Sequence, residues 1–253
     1  SSDLRWPLAI SLSKDGLEYT TLNLVHGEIT PMRYGGNYKS YGPQYPRGIQ
    51  EGNGVPADGD LWVSYSVNKE DMWISRIPVP VEINASAHAD DDFSKNKSIA
   101  ELTDWNIYSP VWAPVSLEDQ WLKLQDKDPF DYAKVERKIP ASKELKVSFD
   151  LKAAQNNKGT LQIEFLDENG IACSRMELTD DGIFRLKGGS RFANMMKYEA
   201  GKVYHVEAVL STVDRNIQVY VDGKRVGLRM FYAPVAAVER IVFRTGIDRK
   251  SVV

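Results

Sequence analysis

Residues 33–48, RYGGNYKSYGPQYPRG, hold Tyr34, Tyr38, Tyr41 and Tyr45 together with Arg33, Lys39 and Arg47. These types suit one kind of chemistry. A tyrosine ring stacks on the C–H face of a sugar while its hydroxyl bonds sugar hydroxyls. An arginine offers a planar fork that matches a carboxylate with two hydrogen bonds. Arg33, Lys39 and Arg47 beside Tyr38, Tyr41 and Tyr45 therefore suit an acidic sugar, a uronate or a sialate. The bland alternative is that the tyrosines cap a core and the cations pair with nearby carboxylates. Gly35, Gly36, Gly42 and Gly48 exclude a helix, and Pro43 and Pro46 argue against a central strand. The expectation is a loop over 33–48, with a short strand beginning at Ile49.

The elements that must carry this loop read as strands. PLAISLSKDGLEYTTLNLV alternates through Leu8, Ile10 and Leu12, turns at Lys14-Asp15-Gly16, and alternates again through Leu22 and Leu24. After a turn at GNGVPADGD, LWVSYSV and MWISRIPV flank the tight turn NKED. Residues 83–104 change to small, polar and acidic types, as expected of a linker. Their ADDD run is either a solvated face or, given hard carboxylate oxygens, a calcium ligand set.

From 105 onward the alternation returns. Leu145, Val147, Phe149 and Leu151 share one face, as do Leu161, Ile163 and Phe165. KVYHVEAVLS and NIQVYVDGKRV form a pair with a hairpin signal at Asp222-Gly223, and VERIVFRTG closes the set. Half-buried alternation at this turn spacing predicts two packed sheets. Trp105, Trp112 and Trp121 precede these strands, and either form a sugar platform or cover the seam between domains. No helix longer than two turns is expected.

Composition narrows the function. Net charge −3 argues against a general nucleic-acid or membrane-surface role. No apolar run reaches the ~20 residues of a membrane span. One cysteine, Cys173, rules out an internal disulfide or a cysteine-built zinc site, and reads as a small buried hydrophobe. His26, His88 and His205 are scattered without metal-ligand spacing. Neither a metal nor a cofactor is expected.

Residues 1–82 resemble the end of a sialidase-like β-propeller with BNR repeats. SLSKDGLEY is similar to a degenerate Asp-box, in which Ser13 and Asp15 lock a hairpin, and the run from Arg33 to Pro80 is similar to a last blade. A blade takes about forty to fifty residues and closure at least four blades, so residues 1–82 supply no more than about two. Upstream blades or a partner fragment are expected, and the alternative is an accessory sheet on the second domain. Residues 105–253 resemble a laminin-G-like or concanavalin-like jelly roll. The resemblance implies an all-β fold, a partial propeller plus a jelly-roll sandwich, within an exported glycan-degrading protein, secreted or periplasmic.

The same resemblance implies roles. Sialidases hold the substrate carboxylate with three arginines and attack with a tyrosine activated by a glutamate. Arg33 falls where the last of those arginines could lie, and Tyr45, with Tyr41 beside it, where the nucleophile could. YGPQYPRG departs from the sialidase tyrosine motif, and the partner glutamate would lie upstream. A lyase acting beside a uronate carboxylate, and a non-catalytic carbohydrate-binding or spacer module, are the alternatives. Binding of an oligosaccharide or polysaccharide is common to all but the spacer.

Overall fold

The computed structural model describes residues 6–28, 32–49, 59–81, 85 and 89–246. The chain divides into two compact units, Ser1–Asn84 and Ala85–Val253. Both are built from antiparallel strands, and a 3-10 turn at Ile99–Glu101 is the only helical element among the described residues.

The first unit opens with a hairpin of β1 (Leu8–Ser13) and β2 (Tyr19–His26). Its turn is held by side chains. The Ser13 hydroxyl accepts the Gly16 N–H at 2.8 Å, while Asp15 Oδ1 accepts the N–H groups of Leu17 at 2.8 Å and Glu18 at 3.0 Å. Gly16 has φ +77°, a left-handed geometry that glycine adopts without strain. The backbone donors of Glu18 and Leu17, helped by the Ser13 hydroxyl, pull the Asp15 carboxyl down to about 2. Its folded value thus lies below the ordinary 3.8. The turn is fully held above pH ~4 and loses this contribution as pH falls through ~2. An NMR titration of the Asp15 carboxyl should show a midpoint near 2; one near 3.8 would mean that the turn is not locked.

β3 (Pro43–Ile49), β4 (Leu61–Val67) and β5 (Asp71–Ile77) form a three-stranded sheet in that order. Tyr65 on β4 is 1% exposed, and its hydroxyl meets His26 Nδ1 at 3.1 Å and the Ser75 hydroxyl at 2.7 Å. The His26 ring also lies edge-on to Tyr65 and Trp73. One buried polar cluster thus joins the hairpin to the sheet.

β3 corrects two expectations. Residues 43–48 are strand rather than loop, and Ile49 ends the strand rather than beginning one. The prolines are tolerated because β3 is the sheet's edge and its register slips between Gln44 and Arg47, where Pro46 sits. An edge or a bulge has no ladder N–H for proline to lose. The expected turn at GNGVPADGD lies, but for its last two residues, outside the described residues.

In the second unit the strands are β6 (Trp105–Tyr108), β7 (Val115–Glu118), β8 (Trp121–Leu124), β9 (Lys134–Ser142), β10 (Glu144–Lys152), β11 (Leu161–Leu166) and β12 (Ala172–Leu178). They continue as β13 (Ile183–Gly188), β14 (Arg191–Lys197), β15 (Val203–Ser211), β16 (Asn216–Val221), β17 (Lys224–Met230) and β18 (Val238–Thr245). One sheet runs β14-β13-β12-β11-β18-β9-β6, and the other β10-β15-β16-β17. Ile163, Phe165, Met176 and Leu186 from the first meet Val206, Ala208, Ile217 and Val219 from the second, all fully buried. That shared core makes the unit a β-sandwich.

Seven strands cannot be covered by four. The β7-β8 hairpin supplies the missing cover, packing Val115, Leu122 and Leu124 against Val135, Ile107 and Phe243. Phe243 also meets Phe149 edge-on at 5.1 Å, which links the two apolar clusters. The described residues of the 83–104 stretch are not a free linker. Asp91 and Asp104 both pair with Arg137 of β9, at 3.2 and 3.1 Å, and Asp91 also accepts the Trp105 indole N–H. Two of its acidic residues face a buried cation, which ties the stretch to the second unit.

Candidate functional site

The segment from Arg33 to Gly42 is gripped by the turn between β4 and β5. Asn68 and Lys69 both take left-handed backbone, at φ 55° and 57°, which fits a tight hairpin. Asn68 Oδ1 accepts the Gly42 N–H at 2.8 Å, and the Lys69 ammonium donates to the Tyr38 carbonyl at 2.7 Å. Glu70 accepts the N–H groups of Arg33 and Tyr34 at 3.0 and 2.9 Å, and the Lys39 ammonium at 2.6 Å. Asp71 takes Arg33 Nη1 at 2.9 Å. NKED reads in the sequence as a turn alone. It is also the clamp that fixes the aromatic segment, and its adjacent carboxylates Glu70 and Asp71, set against Arg33 and Lys39, are the signal for it in the sequence.

Two of the expected cations are thus braced by protein carboxylates. Partial burial works to raise the Glu70 pKa, but the Lys39 ammonium and the N–H groups of Arg33 and Tyr34 outweigh it and hold the carboxyl below its ordinary range. Arg47 lies apart on β3, exposed, with its carbonyl accepting the Ser64 hydroxyl. The tyrosines face outward: Tyr38 is 93% exposed, Tyr34 69%, Tyr45 59% and Tyr41 47%. Tyr38 and Tyr45 also take left-handed backbone, at φ 64° and 55°, a geometry that costs a bulky residue energy. The structure therefore places Arg33, Tyr38, Lys39 and Tyr41 on one clamped segment, and Tyr45 and Arg47 on the bulged strand that follows it.

The three tryptophans do not form a platform. Trp105 packs against Phe93 and Phe243, Trp112 is exposed on the loop after β6, and Trp121 sits on the β7-β8 hairpin. Cys173 is fully buried, and burial pushes its thiol up to about 12, so it is an inert core residue. Among the described residues no group of histidine, cysteine and carboxylate side chains could hold a metal ion, and no helix is long and apolar enough to cross a membrane.

A second surface is assembled from residues far apart in the chain. On the seven-stranded sheet, the side opposite the core is a layer of ion pairs. Glu164 on β11 is held by Arg175 of β12, with Nε at 2.7 Å, and Glu177 on β12 by Arg185 of β13. Gln162 Nε2 donates to Glu177 at 3.2 Å, and its carbonyl oxygen accepts Arg244 of β18. The Glu164 and Glu177 side chains are only 9% and 6% exposed, whereas those of Arg175, Arg244 and Arg185 are 23%, 30% and 35% exposed. Carboxylates form the floor and guanidinium groups the top. Aromatic rings border them: Arg185 lies over Phe192 at 4.3 Å, Lys187 over Tyr232 at 4.3 Å, and Arg244 over Tyr132 at 5.4 Å. Burial pushes the Tyr232 phenol up to about 12, so it stays a neutral hydrogen-bonding group.

The family model for the Sialidase-like, CBM domain matches residues 105–251, more than half of the chain. A solved structure named Sialidase is 92% identical over 96% of this chain, with a TM-score of 0.93. This chain spans 22% of that protein's length. The apo transglycosylase Crh5 is 12% identical, with 64% of this chain and 69% of that one covered at a TM-score of 0.45. The Emp47p carbohydrate recognition domain is also 12% identical, with 61% and 83% covered at 0.43. At such scores neither likeness carries an argument. No curated protein matches the chain significantly. On the strength of the family match, which begins at β6 and runs past β18, the chain belongs to the sialidase-like carbohydrate-binding module (CBM) family.

Proposed function

We propose that the chain is the sugar-holding part of an exported glycan-degrading protein of the sialidase-like superfamily that acts on an acidic sugar. The observation that carries this is the clamped aromatic segment. Tyr34, Tyr38 and Tyr41 are exposed on the same segment as Arg33 and Lys39, and these two cations are each fixed in place by a carboxylate of the β4–β5 turn. Large rings held outward on a braced scaffold suit stacking on sugar faces, and an oriented guanidinium suits a sugar carboxylate. The hold on Glu70 that keeps its carboxyl acidic makes it a poor general base. Bond cleavage in this reading relies on residues outside the sequence, in further blades or a partner fragment. The 22% share of the matched sialidase leaves room for them.

Arg33→Ala in the complete protein should weaken binding of an acidic oligosaccharide by about ten- to a hundredfold, since a charged hydrogen-bond pair contributes about 1.5–3 kcal/mol. The neutral analogue should be largely unaffected. Calorimetric titration that found both ligands weakened equally, or neither, would refute the reading.

A catalytic part for Tyr45 is the second reading, favoured by its strained backbone at the β3 bulge and its half-exposed ring. Tyr45→Phe keeps the ring and removes only the hydroxyl. A nucleophile or base would lose nearly all turnover with binding intact, whereas a stacking residue would lose little of either. Tyr41→Phe serves as the matched comparison.

A further inference from the structure

We propose that the outer face of the seven-stranded sheet is a second binding surface, for a carboxylated oligosaccharide several sugars long. The inference rests on the glycan reading above but uses different residues, in the other unit.

The first argument is layering. Because Glu164 and Glu177 lie at the bottom of the face, the outermost atoms are guanidinium and ammonium groups. Arg175, Arg185, Lys187, Arg240, Arg244, Lys138 and Lys134 lie on this side against Glu164, Glu177 and Glu136, the last paired with Lys134 and Arg240, so cations outnumber carboxylates. A chain with net charge −3 has concentrated positive charge on one sheet surface. Structural ion pairing alone does not require that excess.

The second argument is unused donor capacity. Arg185 gives Nη2 to Glu177, and its Nη1 has no partner among the described residues. The Lys187 and Lys138 ammonium groups make no hydrogen bond to a carboxylate there, although Lys187 stacks on the Phe192 and Tyr232 rings. A guanidinium whose lower edge is fixed by a carboxylate presents its other edge without further ordering, which lowers the entropic cost of binding.

The third argument is extent. In register, Lys187 of β13 stands beside Arg175 of β12, which stands beside Glu164 of β11. That row continues through Val242 of β18 to Glu136 of β9, and Lys138 stands beside Arg240 in the next row of the same face. At ~4.8 Å between strands, the four steps from β13 to β9 span about 19 Å. That is the length of several linked sugars rather than one. Phe192 and Tyr232, both half-buried, supply rings for sugar faces at its margin. Cations spread over a span of five neighbouring strands, with rings at the margin, fit a polymer bearing one carboxylate per repeat or per branch.

Lys138→Gln with Lys187→Gln is the probing variant, because neither lysine holds a buried carboxylate and the ion-pair floor stays intact. The whole chain is titrated with an oligogalacturonate, with a sialylated oligosaccharide, and with their neutral counterparts. The wild-type chain should bind at least one of the two acidic probes and neither neutral one, and the arm that responds identifies the acid. The double variant should bind that probe about tenfold more weakly, each partly exposed pair contributing modestly, with an unchanged melting temperature. Arg33→Ala, run alongside, separates the two proposals. Loss with Arg33→Ala but not with the lysine variant refutes this surface and leaves the function reading standing; loss with the lysine variant alone supports this surface. Absence of acidic-glycan binding, or equal binding of single-stranded nucleic acid or anionic vesicles, also overturns it.

Discussion

Phe165→Ala is expected to destabilise the second unit by about 3–5 kcal/mol. Phe165 is fully buried on β11, which lies between β12 and β18 in the seven-stranded sheet. Its ring helps fill the core shared with the four-stranded sheet. Alanine removes that volume where strands on both sides are tied by their ladders and cannot close over the gap. The cost is therefore the transfer energy of the lost carbons plus that of the cavity left behind. Chemical denaturation should show a lower midpoint with an unchanged denaturant slope. A loss below about 1 kcal/mol would mean that the two sheets are not packed through this ring.

Arg137→Ala should cost about 2–4 kcal/mol and release the segment before β6. The Arg137 side chain is 5% exposed and pairs with Asp91 and Asp104, while its Nη1 also donates to the Asp104 carbonyl at 3.1 Å. Removing one partner of a buried pair is costly because the other is left without its counter-charge. Here the carboxylates are 29% and 57% exposed and recover some hydration, which keeps the loss below that of a fully buried pair. Lys95 and Lys97 lie in the tethered segment, so limited trypsin digestion reads the release directly. Faster cleavage there is the expected result, and an unchanged digestion rate would show that Arg137 does not hold the segment. Arg137→Lys should restore only part of the protection, because an ammonium cannot fork between two carboxylates.

Strands with one apolar and one polar face were legible in the sequence. β10, β11, β15, β16 and β18 announce themselves by alternation, because one side of each meets the sandwich core. In β2 and β5 the alternating apolar residues Leu22, Leu24, Met72 and Ile74 stand largely exposed, so there the same pattern marks a strand without marking a core face. β3 was hidden by Pro43 and Pro46, whose cost depends on an edge position that only the fold reveals. β12 and β13 carried a readable signal that went unused, in Met176 and Leu178, then Phe184 and Leu186, alternating with arginine, glutamate and lysine. Charged residues on their outer side and core residues on the inner side make a regular period of two. The same holds for function. The clamped tyrosine segment was visible because its residues are neighbours in the chain. Arg175, Arg244 and Lys138 are far apart in sequence, and only sheet register brings them to one surface.

The place of β18 has a consequence for how this unit is made in the cell. Among the described residues it is the last strand to leave the ribosome, yet it lies in the middle of the sheet, between β11 and β9. Until it emerges, the meander from β11 to β14 and the β6-β9 pair are separate pieces, each with an open edge toward the vacancy. Vectorial synthesis therefore cannot complete this sandwich piecemeal. The nascent chain must carry two unpaired edges to the end, and a ribosome stalled before Val238 would leave both exposed to any neighbouring strand.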